Sequence, residues 1–245
     1  MKFHWMVKEN LKPYALNGLI NQIDEVGYES MLLTFHSDES DYIVRAAWAT
    51  TPTQKTKFMF AVRPYAMSSR YLAMICKAFE EIKKNVVCLN IIAGTFDHDA
   101  AKFDVYNTVD DRKVHAGDYI GKLNEHFDEF VINPPIYFSG SSDITVMNAN
   151  VHGDGIINLI SGIREDSGVK VIARCWLLIR DTDKEAAKAY DKLDGRMKEN
   201  CIYGTESSIY NKLLNVPAEE FLVSAADTPD QRVHNFVKSV LTNQY

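Results

Sequence analysis

The sequence predicts an α/β protein in which eight parallel strands alternate with helices. Short apolar runs alternate with longer amphipathic stretches along the whole chain. Several runs are apolar without a break, as expected for strands that are buried on both faces of a parallel sheet. The length of 245 residues suits a single domain over 1–245. Eight such units either close into a (β/α)8 barrel or form an open, doubly wound sheet, and the pattern leaves both possible.

Eight segments are predicted to be strands because they are short, apolar and bounded by polar or turn residues. The eight segments are 2–7, 29–35, 57–64, 85–94, 135–138, 154–158, 169–180 and 220–224.

The predicted helices lie between these strands. Gly27 is a plausible stop for the first helix, and Ser68 or Ser69 can cap the third. The helices are predicted at 13–27, from near Ser40, at 68–84, at about 109–127, from near Ser142, and at about 183–199, 206–214 and 229–242.

One crossover is unusually short. Only residues 159–168 connect the sixth and seventh predicted strands. A full crossover helix with its loops does not fit there. We therefore expect a thinly covered face of the sheet, which is a typical place for a subunit interface.

Composition excludes several classes of function. The net charge is −6, from 33 acidic and 27 basic residues, which disfavours nucleic acid as the main partner. The sequence has no apolar run long enough for a membrane span and no apolar leader at its start. The four cysteines, Cys76, Cys88, Cys175 and Cys201, lie in apolar segments. They predict reduced core thiols, a cytoplasmic protein and no metal site.

The segment 134–143, with the sequence PPIYFSGSSD, is the most informative stretch for function. In a barrel, the loops after the strands form the functional face. Gly140 permits a close turn, and Ser141 and Ser142 stand where the next helix begins. Free backbone N–H groups at a helix start favour an anion. The segment therefore predicts either a phosphate site or plain helix capping by serine.

A family resemblance extends over nearly the whole chain. The matching segments are similar, in order, to the flavin-dependent alkanesulfonate monooxygenases of the bacterial luciferase-like superfamily. These segments are 56–73, 87–94, 110–120, 134–143, 170–186 and 220–225. The resemblance implies a trimmed TIM barrel with a shortened crossover between strands six and seven and a shortened lid insertion.

The resemblance also implies FMN, in its reduced form, as the cofactor. It places Gly140, Ser141 and Ser142 at the FMN phosphate. It aligns Arg112 and Lys113 with a family arginine and a phosphate-contacting tyrosine.

Three further positions are implied to contact FMN. Asn90 and Gly94 lie on the fourth strand segment, where Asn90 either bonds the flavin ring or makes an internal barrel hydrogen bond. Ala61 begins a pair, 61–62, at which the family can carry a cis peptide under the flavin.

The implied reaction uses reduced FMN from a separate flavin reductase, together with O2 and a small organic substrate. It oxygenates the carbon next to a sulfonate and releases sulfite and an aldehyde. Arg174 matches a family arginine, and it predicts either anion binding or an internal ion pair because an unpaired charge in an apolar strand is costly. Arg63 is a second candidate for these roles. Trp176 replaces a family histidine, and His4 either lines the flavin pocket or is a hydrogen-bonded barrel residue.

Several family positions are absent. The loop 35–41 lacks the family cysteine, and the segment 224–230 lacks the family tyrosine. Two alternatives to a monooxygenase therefore stay open, a non-catalytic flavin-binding protein and a deazaflavin-dependent oxidoreductase. A homodimer or homotetramer is expected.

Overall fold

The computed structural model describes residues 1–7, 11–50, 54–94, 97–163 and 168–242. Within these ranges the chain forms nine strands, and eight of them overlap the predicted segments. They are β1 (Lys2–Met6), β2 (Ser30–Leu33), β3 (Lys57–Val62), β4 (Val87–Ile91), β5 (Ile136–Ser139), β6 (Gly155–Leu159), β7 (Val171–Ile179), β8 (Cys201–Gly204) and β9 (Glu220–Ala225).

The sheet closes on itself. Strands β1 to β7 follow one another in space, β9 pairs with β7, and β9 also pairs with β1. All these pairings are parallel. The protein is therefore a (β/α)8 TIM barrel, and the open doubly wound sheet is excluded.

The ninth strand was not predicted. Strand β7 is long, and its amino-terminal half pairs with β6 while Trp176–Ile179 pair with β8. Beyond the carboxyl end of β6, strand β8 takes its place beside β7. The barrel wall is therefore longer on this side than elsewhere. Cys201–Gly204 lies between the predicted helices 183–199 and 206–214, so the sequence predicted only a connection between two helices there.

Helices cover the outside of the barrel in the described ranges. They are α1 (Pro13–Val26), α2 (Tyr42–Ala49), α3 (Ser69–Ile82), α4 (Asp97–Ala101), α5 (Val109–Phe130), α6 (Asp143–His152), α7 (Asp183–Tyr190), α8 (Gly195–Glu199), α9 (Glu206–Leu214) and α10 (Asp230–Leu241), with a 3-10 turn at Ile160–Gly162.

Local signals explain several boundaries. Ser68 accepts a hydrogen bond from the backbone N–H of Tyr71 and caps α3, as predicted. Gly27 ends α1 in the left-handed region at φ 95°. The prediction of one helix over 183–199 is wrong. Asp194 accepts a hydrogen bond from the N–H of Met197 and begins a second helix there.

Side chains fill the barrel interior at mid-height. Residues on alternate positions of each strand point inward, and their neighbours pack outward against the helices. The inward-facing apolar cluster consists of Met6, Leu32, Met59, Ala61, Cys88, Tyr137, Ile157, Ile172 and Leu222. The four cysteines are free and buried, as predicted.

The outer face of β6 and β7 is covered, so the thinly covered face predicted from the short crossover is not found there; residues 164–167 of that crossover lie outside the described residues. Outward-facing Ile156 on β6 and Ala173 on β7 are almost inaccessible to solvent. Large exposed apolar side chains lie instead on helices, notably Val44 and Trp48 on α2 and Tyr71 on α3, and at loop positions such as Tyr106 and Val131. Among the described helices, none combines the length and the apolar character that crossing a membrane requires.

Candidate functional site

The turn from β5 into α6 lies at the carboxyl rim of the barrel. Gly140 has φ 133°, and a β-carbon there would lie 3.4 Å from the hydroxyl of Thr145. Ser142 caps α6, because its hydroxyl accepts from the N–H of Thr145 and bonds the Thr145 hydroxyl at 2.9 Å. Ser141 is exposed. The segment 140–142 therefore lies at the carboxyl rim of the barrel, as predicted. Ser142 also caps α6, which was the alternative interpretation of this segment.

The end of β4 and the start of α5 are joined through Arg112. Its guanidinium donates to the carbonyl of Gly94 at 3.3 Å, to the carboxylate of Asp97 at 2.8 Å and to the carbonyl of Asn107. The side chain is 3% exposed. Arg112 therefore fixes the loop after β4. Its Nε is buried and has no partner among the described residues.

The first turns of α5 and α6 lie side by side. The side-chain amide of Asn148 donates to the carbonyl of Lys113 at 2.8 Å. A β-carbon at Gly117 would lie 2.5 Å from Asn148, so glycine is required for this approach. The Lys113 ammonium binds exposed Asp110 at 2.8 Å. The two predicted parts of the phosphate site, 112–113 and 140–142, are thus on neighbouring elements of one rim.

Two residues predicted to face the flavin make internal contacts. Asn90 is 2% exposed and accepts a hydrogen bond from the Ser139 hydroxyl at 2.7 Å. This is the internal barrel bond that the sequence left open. The peptide between Ala61 and Val62 is trans, so the family's cis peptide is absent at this position. The carbonyl of Ala61 accepts from the hydroxyl of Tyr42 at 2.7 Å.

Arg174 faces the barrel interior at the level of the carboxyl end of β6, paired in register with Leu159. Its Nε is buried without a hydrogen-bond partner, and no described carboxylate forms an ion pair with it. Burial lowers its pKa from the usual value, and the charge of Arg196 lowers that pKa further. The predicted internal ion pair is therefore not found in the described chain.

Trp176 lies one inward position above Arg174, and the guanidinium carbon of Arg174 is 5.4 Å from its ring centroid. A cation over an indole face is favourable. The pair presents a positive group and an aromatic surface to the same side of the mouth. It can hold an anion that carries an apolar part.

His4 is at the other end of the barrel. Its ring nitrogens bond the hydroxyl of Ser30 at 2.7 Å and the carboxylate of Glu220 at 3.2 Å. Ser30 and Glu220 are the first residues of β2 and β9, and Met6 is the next inward position above His4. A role for His4 in lining a pocket at the carboxyl rim is therefore not supported. His4 is instead the hydrogen-bonded barrel residue of the alternative prediction.

Short helix α4 covers the mouth on the side of β2 to β4. The Phe103 ring lies 5.7 Å from the rings of both Phe35 and Tyr65. Lys102 binds Asp38 at 2.7 Å and thereby holds this segment to the loop after β2. Among the described residues, no group of three or more His, Cys, Asp or Glu side chains could hold a metal ion.

Sequence reasoning did not find three polar groups of the mouth. The buried Tyr65 and Ser224 hydroxyls have no described partner, and Ser139 bonds Asn90. Alternation along each strand was the signal that could have placed Ser139 and Ser224 inside the barrel. Tyr65 follows Pro64 in a loop, where no periodicity applies.

A scan against protein-family models finds no match to the sequence. Solved structures do share the fold. EDTA monooxygenase from Chelativorans sp. BNC1 matches with a TM-score of 0.79 over 100% of this chain and 94% of that chain, at 12% identity. An F420-dependent secondary alcohol dehydrogenase in complex with an F420-acetone adduct matches at 0.78 over 98% and 97%, at 12% identity.

A third structure is the oxygenating constituent of 3,6-diketocamphane monooxygenase from Pseudomonas putida in complex with FMN. It matches with a TM-score of 0.74 over 98% of this chain and 96% of that chain, at 13% identity. At identities this low, the structural matches establish a common fold and nothing finer. The class defined here is therefore a TIM barrel of the architecture shared by these oxidoreductases.

Proposed function

We propose that the protein is a flavin-dependent oxidoreductase of the monooxygenase type, which uses reduced FMN and O2 to oxygenate a small organic anion such as a sulfonate. The observation that carries the proposal is the half-buried guanidinium of Arg174 beside Trp176 at the barrel mouth, whose Nε is buried without a partner and which forms no ion pair in the described chain. A buried charge without a partner is costly, and an anionic ligand would offset that cost.

The residues present fit a phosphorylated flavin. Gly140 and the start of α6 offer a closely approachable backbone and free N–H groups, and Lys113 adds a half-buried ammonium on the neighbouring helix. Arg112 joins the end of β4 to the start of α5, the helix that carries Lys113. A bound reduced flavin would supply the reaction with O2, whereas these side chains would bind and orient it.

Arg174 and Trp176 would position the substrate. The guanidinium would bind the anionic group, and the indole would cover the adjoining carbon and exclude water from it. Two neighbours with this fold, EDTA monooxygenase and the diketocamphane enzyme with FMN, support the proposal at the level of oxidoreductase chemistry.

The test combines binding and turnover. Purified protein is titrated with reduced FMN by fluorescence quenching, and sulfite release from short alkanesulfonates is followed with a flavin reductase and O2. We expect Arg174→Ala to abolish turnover and to leave flavin affinity unchanged. Arg180→Ala is the control, because Arg180 is paired with Asp227 at 2.7 Å. Turnover that survives in Arg174→Ala would overturn the assignment of this arginine.

A non-catalytic flavin-binding protein is the second candidate. Trp176 stands in place of the family histidine, and the compact unit α7–α8–β8 lies before the late helix α9, where the sequence predicts a shortened lid insertion. Flavin binding without any product from sulfonates or other small anions would favour this reading. Because one neighbour with this fold was solved with F420, binding of a deazaflavin is measured in parallel to test the choice of cofactor.

A second copy of the chain is the proposed partner of the exposed apolar surface on α2 and α3. Trp48 is 61% exposed and Tyr71 is 57% exposed. Apolar surface of this kind is typical of an interface between proteins. Trp48→Glu is expected to convert a dimer or tetramer into a smaller species in light scattering. A wild-type monomer at micromolar concentration would refute the proposal.

A further inference from the structure

A second arginine lies beside Arg174 at the barrel mouth. Arg196 is on the short helix α8, which is tied to the barrel through Asn200, a residue that is 1% exposed. The side-chain amide of Asn200 donates to the carbonyl of Arg196 at 2.9 Å, and its side-chain oxygen accepts from the N–H of Ser161 at 3.0 Å. The carbonyl of Asn200 accepts from the N–H of Trp176 at 3.1 Å. These bonds fix α8 between the turn that follows β6 and the part of β7 that carries Trp176.

The guanidinium groups of Arg174 and Arg196 act on each other. Burial lowers the pKa of Arg174 most, the charge of Arg196 lowers it further, and none of the described carboxylates raises it. Neither guanidinium forms an ion pair within the described chain, and the Nε of Arg174 is buried without an acceptor. Two like charges that are close together repel, and an anion between them removes that repulsion. The local field therefore favours a negative ligand that contacts both arginines.

The acidic residues around α8 do not neutralise the two arginines. Asp194 caps the start of α8, and Asp191 binds the ammonium of Lys198 at 3.4 Å. Glu199, one helical turn beyond Arg196, is exposed and forms no ion pair within the described chain. The positive charge of the arginine pair is therefore free to act on a ligand.

Solvent reaches this part of the mouth directly. Arg196 is exposed, and Arg174 and Trp176 are half-buried. The guanidinium carbon of Arg174 lies 5.4 Å from the centroid of the Trp176 ring, so an aromatic surface adjoins the cations. A small solute can therefore contact both guanidinium groups and the indole without displacing a strand or a helix.

We infer that Arg196 is a specificity-determining residue, and that the site takes a substrate with two acidic groups joined by a short carbon chain. Arg174 binds the first acidic group, Arg196 binds the second, and the Trp176 ring lies against the carbon chain. A guanidinium presents parallel N–H donors to a carboxylate or a sulfonate, so each arginine holds one acidic group. A monoanion would leave one of the two charges uncompensated, whereas a dianion neutralises both.

The inference deepens the proposed function and rests on it for the oxygenation step alone. Binding of a dianion to the two arginines does not need the flavin, so it is measured separately from turnover.

The experiment compares propane-1-sulfonate with 3-sulfopropanoate, which has the same number of carbons and the same sulfonate but ends in a carboxylate. Sulfite release with a flavin reductase, reduced FMN and O2 gives kcat/KM, and the rise in melting temperature without flavin reports binding. We expect the wild type to prefer 3-sulfopropanoate about 20-fold in kcat/KM, since a bond between two charged groups is strong.

Arg196→Gln should remove this preference. We expect kcat/KM to fall about 20-fold for 3-sulfopropanoate and to stay within about threefold for propane-1-sulfonate, because only the dianion uses the second arginine. The loss should appear in KM, since Arg196 binds a group away from the reacting carbon. Arg196 is exposed and unpaired in the described chain, so the variant should melt at the wild-type temperature without ligand.

The control variants are matched in charge and position. Arg196→Lys keeps the positive charge and should lose no more than about fivefold for 3-sulfopropanoate. Lys198→Gln removes a cation from the same helix, but one that is paired with Asp191. It should turn over both compounds as the wild type does, which separates a specific contact from a change in net charge.

The outcomes distinguish the specificity from the activity. A wild type that turns over both compounds equally well would overturn the inference and leave the proposed function standing. Equal losses for both compounds in Arg196→Gln would also overturn it, because Arg196 would then attract any anion. If neither compound releases sulfite, but 3-sulfopropanoate raises the melting temperature of the wild type and not that of Arg196→Gln, the dianion site stands and the monooxygenase proposal fails. Absence of both turnover and this shift would remove both.

Discussion

The amino end of the barrel pairs its polar groups, whereas the carboxyl end leaves several of them unpaired. At the amino end, Glu220 accepts from His4 at 3.2 Å and is 2.9 Å from the ammonium of Lys170. At the carboxyl end, Arg63 and Arg174 have buried Nε atoms without partners in the described chain. Polar groups that are mutually satisfied stabilise a fold, and unsatisfied ones mark the place where a ligand is needed.

The largest expected effect comes from breaking the amino-end network. Glu220→Gln removes the carboxylate charge that pairs with Lys170 and Lys2 and weakens the acceptor that His4 bonds. We expect the free energy of unfolding to fall by about 2–3 kcal/mol, less than for a fully buried pair because the lysines reach solvent. Urea denaturation measures the change. Glu219→Gln, at the exposed neighbouring position, should stay within about 0.5 kcal/mol. Equal effects at 219 and 220 would contradict the comparison.

The pH dependence of stability tests the same network at the amino end of the barrel. Burial by itself raises the pKa of Glu220, but hydrogen bonds from His4 and Lys170 outweigh it and hold the pKa well below its usual range. Stability from this group is complete above the unfolded pKa of about 4.5 and is lost as the pH falls below it. Wild type should therefore lose stability below about pH 4.5 more steeply than Glu220→Gln.

A buried histidine adds a second acid-sensitive step at higher pH. Burial lowers the pKa of His234, so the unfolded chain binds its proton first as the pH falls below about 6.5. Stability should decline from that pH downward, and His234→Gln should remove that part of the slope. A wild-type stability that stays constant between pH 7 and 5 would contradict the assignment.

The carboxyl end should respond in the opposite direction. Arg174→Met removes a half-buried charge that forms no ion pair in the described chain, so stability should stay the same or rise by up to about 1 kcal/mol. Arg180→Met breaks an ion pair with Asp227 at 2.7 Å and should lower stability by about 0.5 kcal/mol. A clear loss of stability in Arg174→Met would mean that this arginine has a structural partner.

The smallest expected effects come from one substitution made at both ends. Ser30 bonds His4 at 2.7 Å, whereas the buried hydroxyl of Ser224 has no described partner. Ser30→Ala should cost about 1 kcal/mol, and Ser224→Ala should be neutral or slightly stabilising. Denaturation midpoints of the two variants make the comparison directly. If both lose the same stability, the two ends do not differ as described.

Much of the fold could be predicted from the sequence. Strands buried on both faces are continuous apolar runs, so all eight barrel strands were recognised. The position of 140–142 at a strand end followed from the same pattern. Helix 183–199 was predicted as a single element because its periodicity concealed the start signal at Asp194. Strand β8 was missed because it lies between two segments with helical periodicity, and the sequence predicted only a connection there.

Local patterns along the chain specify the strands, the barrel rim and the small residues after β5, because periodicity and turn chemistry act over a few neighbouring residues. Contacts between distant parts of the chain determine which polar groups find partners. His4 meets Glu220 across 216 positions of the chain, and Tyr65 meets Gly94 only because β3 and β4 are adjacent in the sheet. Whether a buried charge is paired depends on such distant contacts, and no local pattern in the sequence encodes them.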